Sequence, residues 1–148
     1  MTNYAQNKKA YHDYEILEDF EAGIELKGFE VKSIKEGRAS LKGARVVLRG
    51  GEAFLIGANV PPYQAKNTPK DYDPERARRL LLSKKEIKKL IGKEQEKGLT
   101  LPALALYNKG RLIKLKFAVA RGKKKHDKRE AIKKRDLERD LKRSLKYK

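Results

Sequence analysis

His12-Asp13-Tyr14-Glu15-Ile16-Leu17-Glu18-Asp19-Phe20-Glu21-Ala22-Gly23-Ile24-Glu25-Leu26-Lys27 is the segment from which the fold can be read. Tyr14, Ile16, Phe20, Ala22, Ile24 and Leu26 occupy its even positions, with Glu18 the single break. Asp13, Glu15, Asp19, Glu21, Glu25 and Lys27 fall on the odd ones. Period two over this length predicts a long half-buried strand, bent or bulged near Gly23. A chain that opens its core this way is built on a sheet.

The segments on either side extend that sheet. Residues 27 to 37 read as a turn and a short helix between glycines. Val46 to Val60 reads as a hairpin, with Val46-Val47-Leu48 and Ala53-Phe54-Leu55-Ile56 joined by Gly50-Gly51. The Pro-, Asn-, Lys- and Tyr-rich stretch from Pro61 to Tyr72 is a loop. Asp73 as cap and Pro74 at the first helical position predict a helix over 75–82. Ser83 with Glu86 forms a capping box, and Leu82 with Ile87 a hydrophobic staple. They open a second helix with Ile87, Leu90 and Ile91 on its buried stripe and Gly98 at its end. Leu99 to Tyr107 returns to strand and turns at Asn108-Lys109-Gly110. From Leu112 to Ala120, Ile113, Leu115, Phe117 and Val119 alternate with Lys114, Lys116, Ala118 and Ala120. The expected class is mainly β with α: a small barrel, closed or nearly so, of oligonucleotide-binding type with flanking helices. A ferredoxin-like sheet fits less well, since strands and helices do not alternate.

Charge divides the chain. Lys and Arg number 38 against 20 Asp and Glu, for a net +18. From Arg121 to Lys148 there are 14 basic and 5 acidic residues, half of that net charge. The expected division is therefore a barrel domain over 1–121 and a basic tail over 122–148. Within the tail, Leu137, Leu141 and Leu145 lie four apart with charge almost everywhere else. That narrow apolar stripe predicts a helix too marginal to stand alone in water, formed only on a partner. So strong a positive excess points to a polyanionic partner, nucleic acid before an anionic membrane. Three leucines without an aromatic partner would anchor weakly to lipid. No apolar run approaches the roughly 20 residues that cross a bilayer, and no secretory leader is expected. A monomer in the cytoplasm is the expected state.

Catalysis finds little support. Cysteine is absent, which excludes disulfides and thiolate chemistry. His12 and His126 are the two histidines, one near each end, so no metal site and no cofactor is expected. His12 and Asp13, as neighbours on a strand, should point to opposite faces. Gly50-Gly51 lacks the spacing of a phosphate loop. Arg121-Gly122-Lys123-Lys124-Lys125, directly after a strand, places cations where they can displace counterions from phosphate. A solubilising or linker tail is the plainer reading of the same residues. His126-Asp127-Lys128-Arg129 joins a planar ring to hydrogen-bond donors, suited to an RNA base, or else starts a helix capped by Asp127.

Taken in order, several motifs resemble one family. They are Asn7-Lys8-Lys9-Ala10-Tyr11-His12-Asp13-Tyr14, Phe20-Glu21-Ala22-Gly23-Ile24, Gly28-Phe29-Glu30-Val31-Lys32-Ser33, Gly51-Glu52-Ala53-Phe54-Leu55, Leu80-Leu81-Leu82, Gly98-Leu99-Thr100, Ala120-Arg121-Gly122-Lys123-Lys124 and His126-Asp127-Lys128-Arg129. Their order and content are similar to the SmpB family, tmRNA-binding proteins of bacterial trans-translation. The resemblance implies a non-enzymatic adaptor that grips the tRNA-like part of tmRNA and enters ribosomes stalled on truncated messages. Asn7, Glu21 and Leu81 match positions important for tmRNA binding in the family, and Lys8, His12, Arg121, Gly122, Lys123 and Lys124 lie in the same motifs. Leu81 offers either apolar contact with RNA or core packing. His126, Asp127, Lys128 and Arg129 match the tail motif read in the decoding centre, with Leu137, Leu141 and Leu145 beyond it in the message channel. The partners implied are tmRNA and the ribosome, with no membrane. A general single-strand binder with a nonspecific arm, stacking bases on exposed tyrosines, and a basic structural ribosomal protein are the alternatives.

Overall fold

The computed structural model describes residues 2–123. In chain order they form β1 (Asn3–Gln6), α1 (Lys8–Asp13), β2 (Tyr14–Ile24), α2 (Gly28–Lys35), β3 (Arg45–Arg49) and β4 (Glu52–Ile56). Then come β5 (Arg78–Leu81), α3 (Lys84–Gln95), β6 (Leu99–Thr100), β7 (Ala103–Lys109) and β8 (Leu112–Gly122). All pairings are antiparallel, in the order β1-β7-β8-β2-β5-β4-β3, with β6 also on β8. An isolated bridge between Arg45 and Pro102 brings the far strand back toward the start of β7. Val46 N donates to the Leu101 carbonyl at 2.8 Å and Ala103 N to that of Ala44 at 3.1 Å. The sheet thereby curls into a nearly closed barrel, as its strand pattern predicts.

The long alternation is strand from Tyr14, and its irregularity lies at Leu17 rather than near Gly23. Ile16 pairs with Ala120 and Glu18 with Val119, so Leu17 is an inserted residue. Ala120 and Val119 face opposite sides of the sheet, and the insertion therefore turns β2 over. Tyr14 and Ile16 pack outside, with Ala10, Leu104 and Ala118 under α1. Phe20 and Ala22 point into the barrel, where Phe20 stacks on Phe117 with ring centroids 5.4 Å apart. One even-numbered apolar series thus supplies two cores.

Gly23 has a different task. There β2 pairs with both Lys114 of β8 and Leu81 of β5, and a Cβ at this position would stand 3.2 Å from the Leu81 Cβ.

Several local expectations are corrected. The polar start contains β1 and α1. His12 and Asp13 close α1 rather than begin a strand, and His12 Nδ1 lies 3.0 Å from Asp13 Oδ1. The helix expected over 75–82 is a turn followed by strand. Asp73 Oδ1 accepts from Glu75 N at 2.9 Å and its carbonyl from Arg76 N, which satisfies a turn without propagating a helix. Arg78 and Leu80 then face inward and Arg79 and Leu81 outward, paired to β4 and β2. Tertiary pairing overrides the helix propensity of this Arg/Leu-rich run. Pro102 divides the strand expected over 99–107 into β6 and β7. The last hairpin turns at Gly110-Arg111, with Lys109 paired to Leu112 and Gly110 at φ +62°. The Gly50-Gly51 hairpin and the Ser83/Glu86 capping box form as expected, and Leu90 is fully buried under α3.

A buried polar knot ties α2 to the segment entering β5. Arg78 uses all five of its N–H donors inside the protein. They reach Glu30 Oε2 at 2.8 Å, Tyr72 Oη at 3.1 Å and the carbonyls of Ala58, Arg76 and Pro74. Arg76 grips both oxygens of the same carboxylate. Burial pushes the Glu30 carboxyl up, but these hydrogen bonds, the Lys27 backbone N–H and the Arg78 charge outweigh it and hold it at about 2.

Candidate nucleic-acid interface

The outer face of the sheet follows from register. Ala105, Lys116 and Glu21 make one row across β7, β8 and β2, and Tyr107, Lys114, Gly23 and Leu81 make the next, which reaches β5. Lys109 stands opposite Leu112 in a third. Inward partners Ile113, Leu115 and Phe117 fill the barrel, so Lys114 and Lys116 must project outward. Basic, apolar and acidic groups therefore share one surface.

Glu21 lies at the centre of this surface and is anchored. Tyr107 donates its hydroxyl to Oε2, and Lys109 Nζ lies 3.0 Å from Oε1. The Tyr107 hydrogen bond, then that of Lys109 and the charges of Lys109 and Lys114, hold the Glu21 carboxyl below its usual range despite some desolvation. Burial and the same carboxylate push the Tyr107 phenol up. Beside Glu21, a depression of about 500 Å³ is lined by Tyr11, Asp19, Tyr107 and Lys116 among others. A smaller hollow of about 210 Å³ lies among Gly23, Leu81, Arg111, Leu112 and Lys114. Leu81 is 50% exposed and Leu112 61%, so Leu81 is free for contact outside the core.

The other expected residues separate into groups. Asn7, 6% exposed, is held inside the protein. Its Oδ1 caps α1 at Ala10 N, while Nδ2 donates to the carbonyls of Leu41 at 3.0 Å and Ala103 at 2.9 Å. Its side chain has no donor left over for a ligand. Lys8 is exposed on the first turn of α1. Arg121 and Gly122 end β8 beside Glu15 and Tyr14, and Lys123 N donates to the Asp13 carbonyl at 2.9 Å. Arg121 and Lys123 are thereby brought to the end of α1, where His12 lies. Lys124, His126, Asp127, Lys128, Arg129, Leu137, Leu141 and Leu145 lie outside the described residues.

Sequence reasoning passed over Tyr107, Lys109, Lys114 and Lys116 as interface residues. The alternation in β8 marks the two lysines as outward, but nothing local places Tyr107 and Lys109 beside Glu21. Among the described residues no group of three or more His, Asp or Glu is placed to hold a metal ion. Nor, among them, is any helix long and apolar enough to cross a membrane.

A nearly closed antiparallel barrel with a basic, partly apolar outer face around an anchored carboxylate belongs to the class of small nucleic-acid-binding barrels. Within that class the chain belongs to the SmpB family, since the family model described as SmpB protein matches residues 4–147. It is 52% identical over 147 residues to a protein of Thermosipho africanus named SsrA-binding protein, spanning 99% of this chain and 98% of that one. An SsrA-binding protein of Nitrosospira multiformis is 54% identical over 144 residues, 97% of each chain. A solved structure described as "tmRNA-SmpB: a journey to the center of the bacterial ribosome" superposes with a TM-score of 0.68 at 43% identity, covering 86% of this chain and 92% of that one.

Proposed function

We propose that this protein binds the tRNA-like part of tmRNA through the outer barrel face and carries it to ribosomes stalled on truncated messages. The work is binding and delivery in the cytoplasm, by a monomer, without catalysis or cofactor. The observation that carries the reading is the likeness, over nearly the full chain and at about half identity, to proteins named SsrA-binding protein.

The face suits such a ligand. Lys114, Lys116 and Arg121 of β8, with Lys123 just beyond it, supply phosphate neutralisation. Leu81 and Leu112 supply apolar contact for a sugar or an unstacked base, and Glu21 accepts from a base amino group or a ribose hydroxyl. Asn7 acts by holding α1, and with it Lys8 and His12, in place. The segment 122–148 forms a separate functional part. Its His126-Asp127-Lys128-Arg129 group serves the decoding centre, and its leucine stripe the empty message channel.

The test pairs a gel shift on tmRNA with a tagging assay on a message lacking a stop codon. Discrete binding and tagging are expected. Equal affinity for tmRNA and arbitrary single-stranded RNA, with no tagging, would overturn the proposal.

A further inference from the structure

We infer that Tyr107 is a positioning residue for RNA recognition: its hydroxyl, held from a buried ring, sets the direction in which Glu21 presents its free lone pairs to the bound RNA. The inference rests on the reading of Glu21 as part of the RNA face.

The geometry is specific. Tyr107 stands on β7 and Glu21 on β2, with β8 between them. Strands are spaced about 4.8 Å apart, so the hydrogen bond spans roughly 10 Å of sheet, and the phenol must reach across β8. Gly23, in the same cross-strand row as Tyr107, presents no side chain there. Tyr107 is 7% exposed, so its ring is fixed by packing rather than by the carboxylate it serves.

Glu21 has a second partner of another kind. Lys109 donates to the other oxygen, but its side chain is 63% exposed and ends a flexible stem. Such a cation is easily drawn to a phosphate, whereas the phenol is not. A carboxylate offers about four lone-pair sites; Tyr107 and Lys109 occupy two, and the rest are open to an amino or hydroxyl donor. Without the phenol the Glu21 side chain would swing toward Lys109, Lys114 or Lys116 and present no defined acceptor. The groups facing it are Lys109 of β7, Lys114 and Lys116 of β8, Asp19 of its own strand and Tyr11 of α1.

The experiment measures affinity of the full chain for an in vitro transcript of the tRNA-like part of tmRNA, comparing wild type, Tyr107→Phe, Glu21→Gln and the double variant. Tyr107→Phe keeps the ring, and thermal melts establish that the variant folds. Removing one charge-assisted hydrogen bond predicts a loss of about tenfold at neutral pH. Two further results would not follow from a merely structural role. The double variant should bind no worse than Glu21→Gln alone, and the acid limb of binding should move to higher pH in Tyr107→Phe, because the Tyr107 hydrogen bond is the largest influence lowering the Glu21 carboxyl. If Glu21→Gln weakens binding while Tyr107→Phe does not, or the two losses add, the positioning role is wrong and the RNA face stands. If Glu21→Gln binds normally, the RNA role of Glu21 fails and takes this inference with it.

Discussion

Glu30 and Arg78, 48 residues apart in the chain, meet where neither side chain reaches solvent, with Nε 2.8 Å from Oε2. Glu30→Gln leaves Arg78 charged and poorly compensated in the interior, a loss of about 3–5 kcal/mol by analogy with broken buried pairs. Denaturant melts measure it. The folded-state carboxyl, at about 2, lies below its ordinary 4.5. Its stabilisation is therefore complete well above 4.5 and disappears as the pH falls toward 2. Glu30→Gln should flatten that acid limb of the stability curve, and an unchanged limb would exclude the carboxylate as its source.

Asn7 joins α1, the loop at Leu41 and the start of β7 through one amide. Asn7→Ala removes the cap and both carbonyl contacts, with an expected cost of about 3 kcal/mol. Asn7→Asp keeps the cap oxygen but turns a second acceptor toward two carbonyls, so it should rescue little of that loss. Full rescue by Asp in thermal melts would mean that the cap alone matters.

Ser33 Oγ is buried on α2 without a hydrogen-bond partner among the described residues. Ser33→Ala should therefore leave stability unchanged or raise it by about 1 kcal/mol. A clear loss in chemical denaturation would reveal an internal water bound there.

Glu21→Ala makes a basic protein more basic, and simple attraction would tighten RNA binding. The opposite is expected: about tenfold weaker binding to tmRNA, since an anchored acceptor is lost. The salt dependence should keep its slope of roughly 0.7 to 0.9 per phosphate neutralised, because no cation has been removed. Gel shifts across a salt series, with circular dichroism as the check on folding, decide it. Equal or tighter binding by the folded variant removes Glu21 from the interface.

Truncation after Lys124 leaves β8 intact through Gly122, together with its pairing to Tyr14. The shortened protein should melt cooperatively and bind tmRNA. Tagging of a message without a stop codon should disappear with His126, the Asp127-Lys128-Arg129 group and the three leucines. Normal tagging by the shortened protein would reduce the tail to a solubilising arm.

Part of the strand identity was local information. The Tyr14–Ile24 alternation, the Gly50-Gly51 hairpin and the Ser83/Glu86 box each depend on spacings of two to four residues, and all three could be read directly from the chain. So could the basic excess, which pointed to a polyanion before any strand had been paired. Partnership across the sheet is not local. The inserted Leu17 turns β2 over only because β8 lies beside it, and no count along 12–27 shows that Tyr14 and Phe20 enter different cores. Asp73-Pro74 carries a sound helix start, yet the following residues are held as strand by β4 on one side and β2 on the other. Nothing in the sequence around Arg78 shows that Glu30, Tyr72 and three carbonyls enclose it. Glu21 was identifiable by resemblance, but its anchorage by Tyr107 and Lys109 depends on residues more than 80 positions away, brought near by the register of three strands. The sequence determined the strands that carry a clear alternation or a tight turn, and its charge pointed to a polyanionic partner. The tertiary structure decided which face each side chain serves, because a one-residue shift in register exchanges inside for outside.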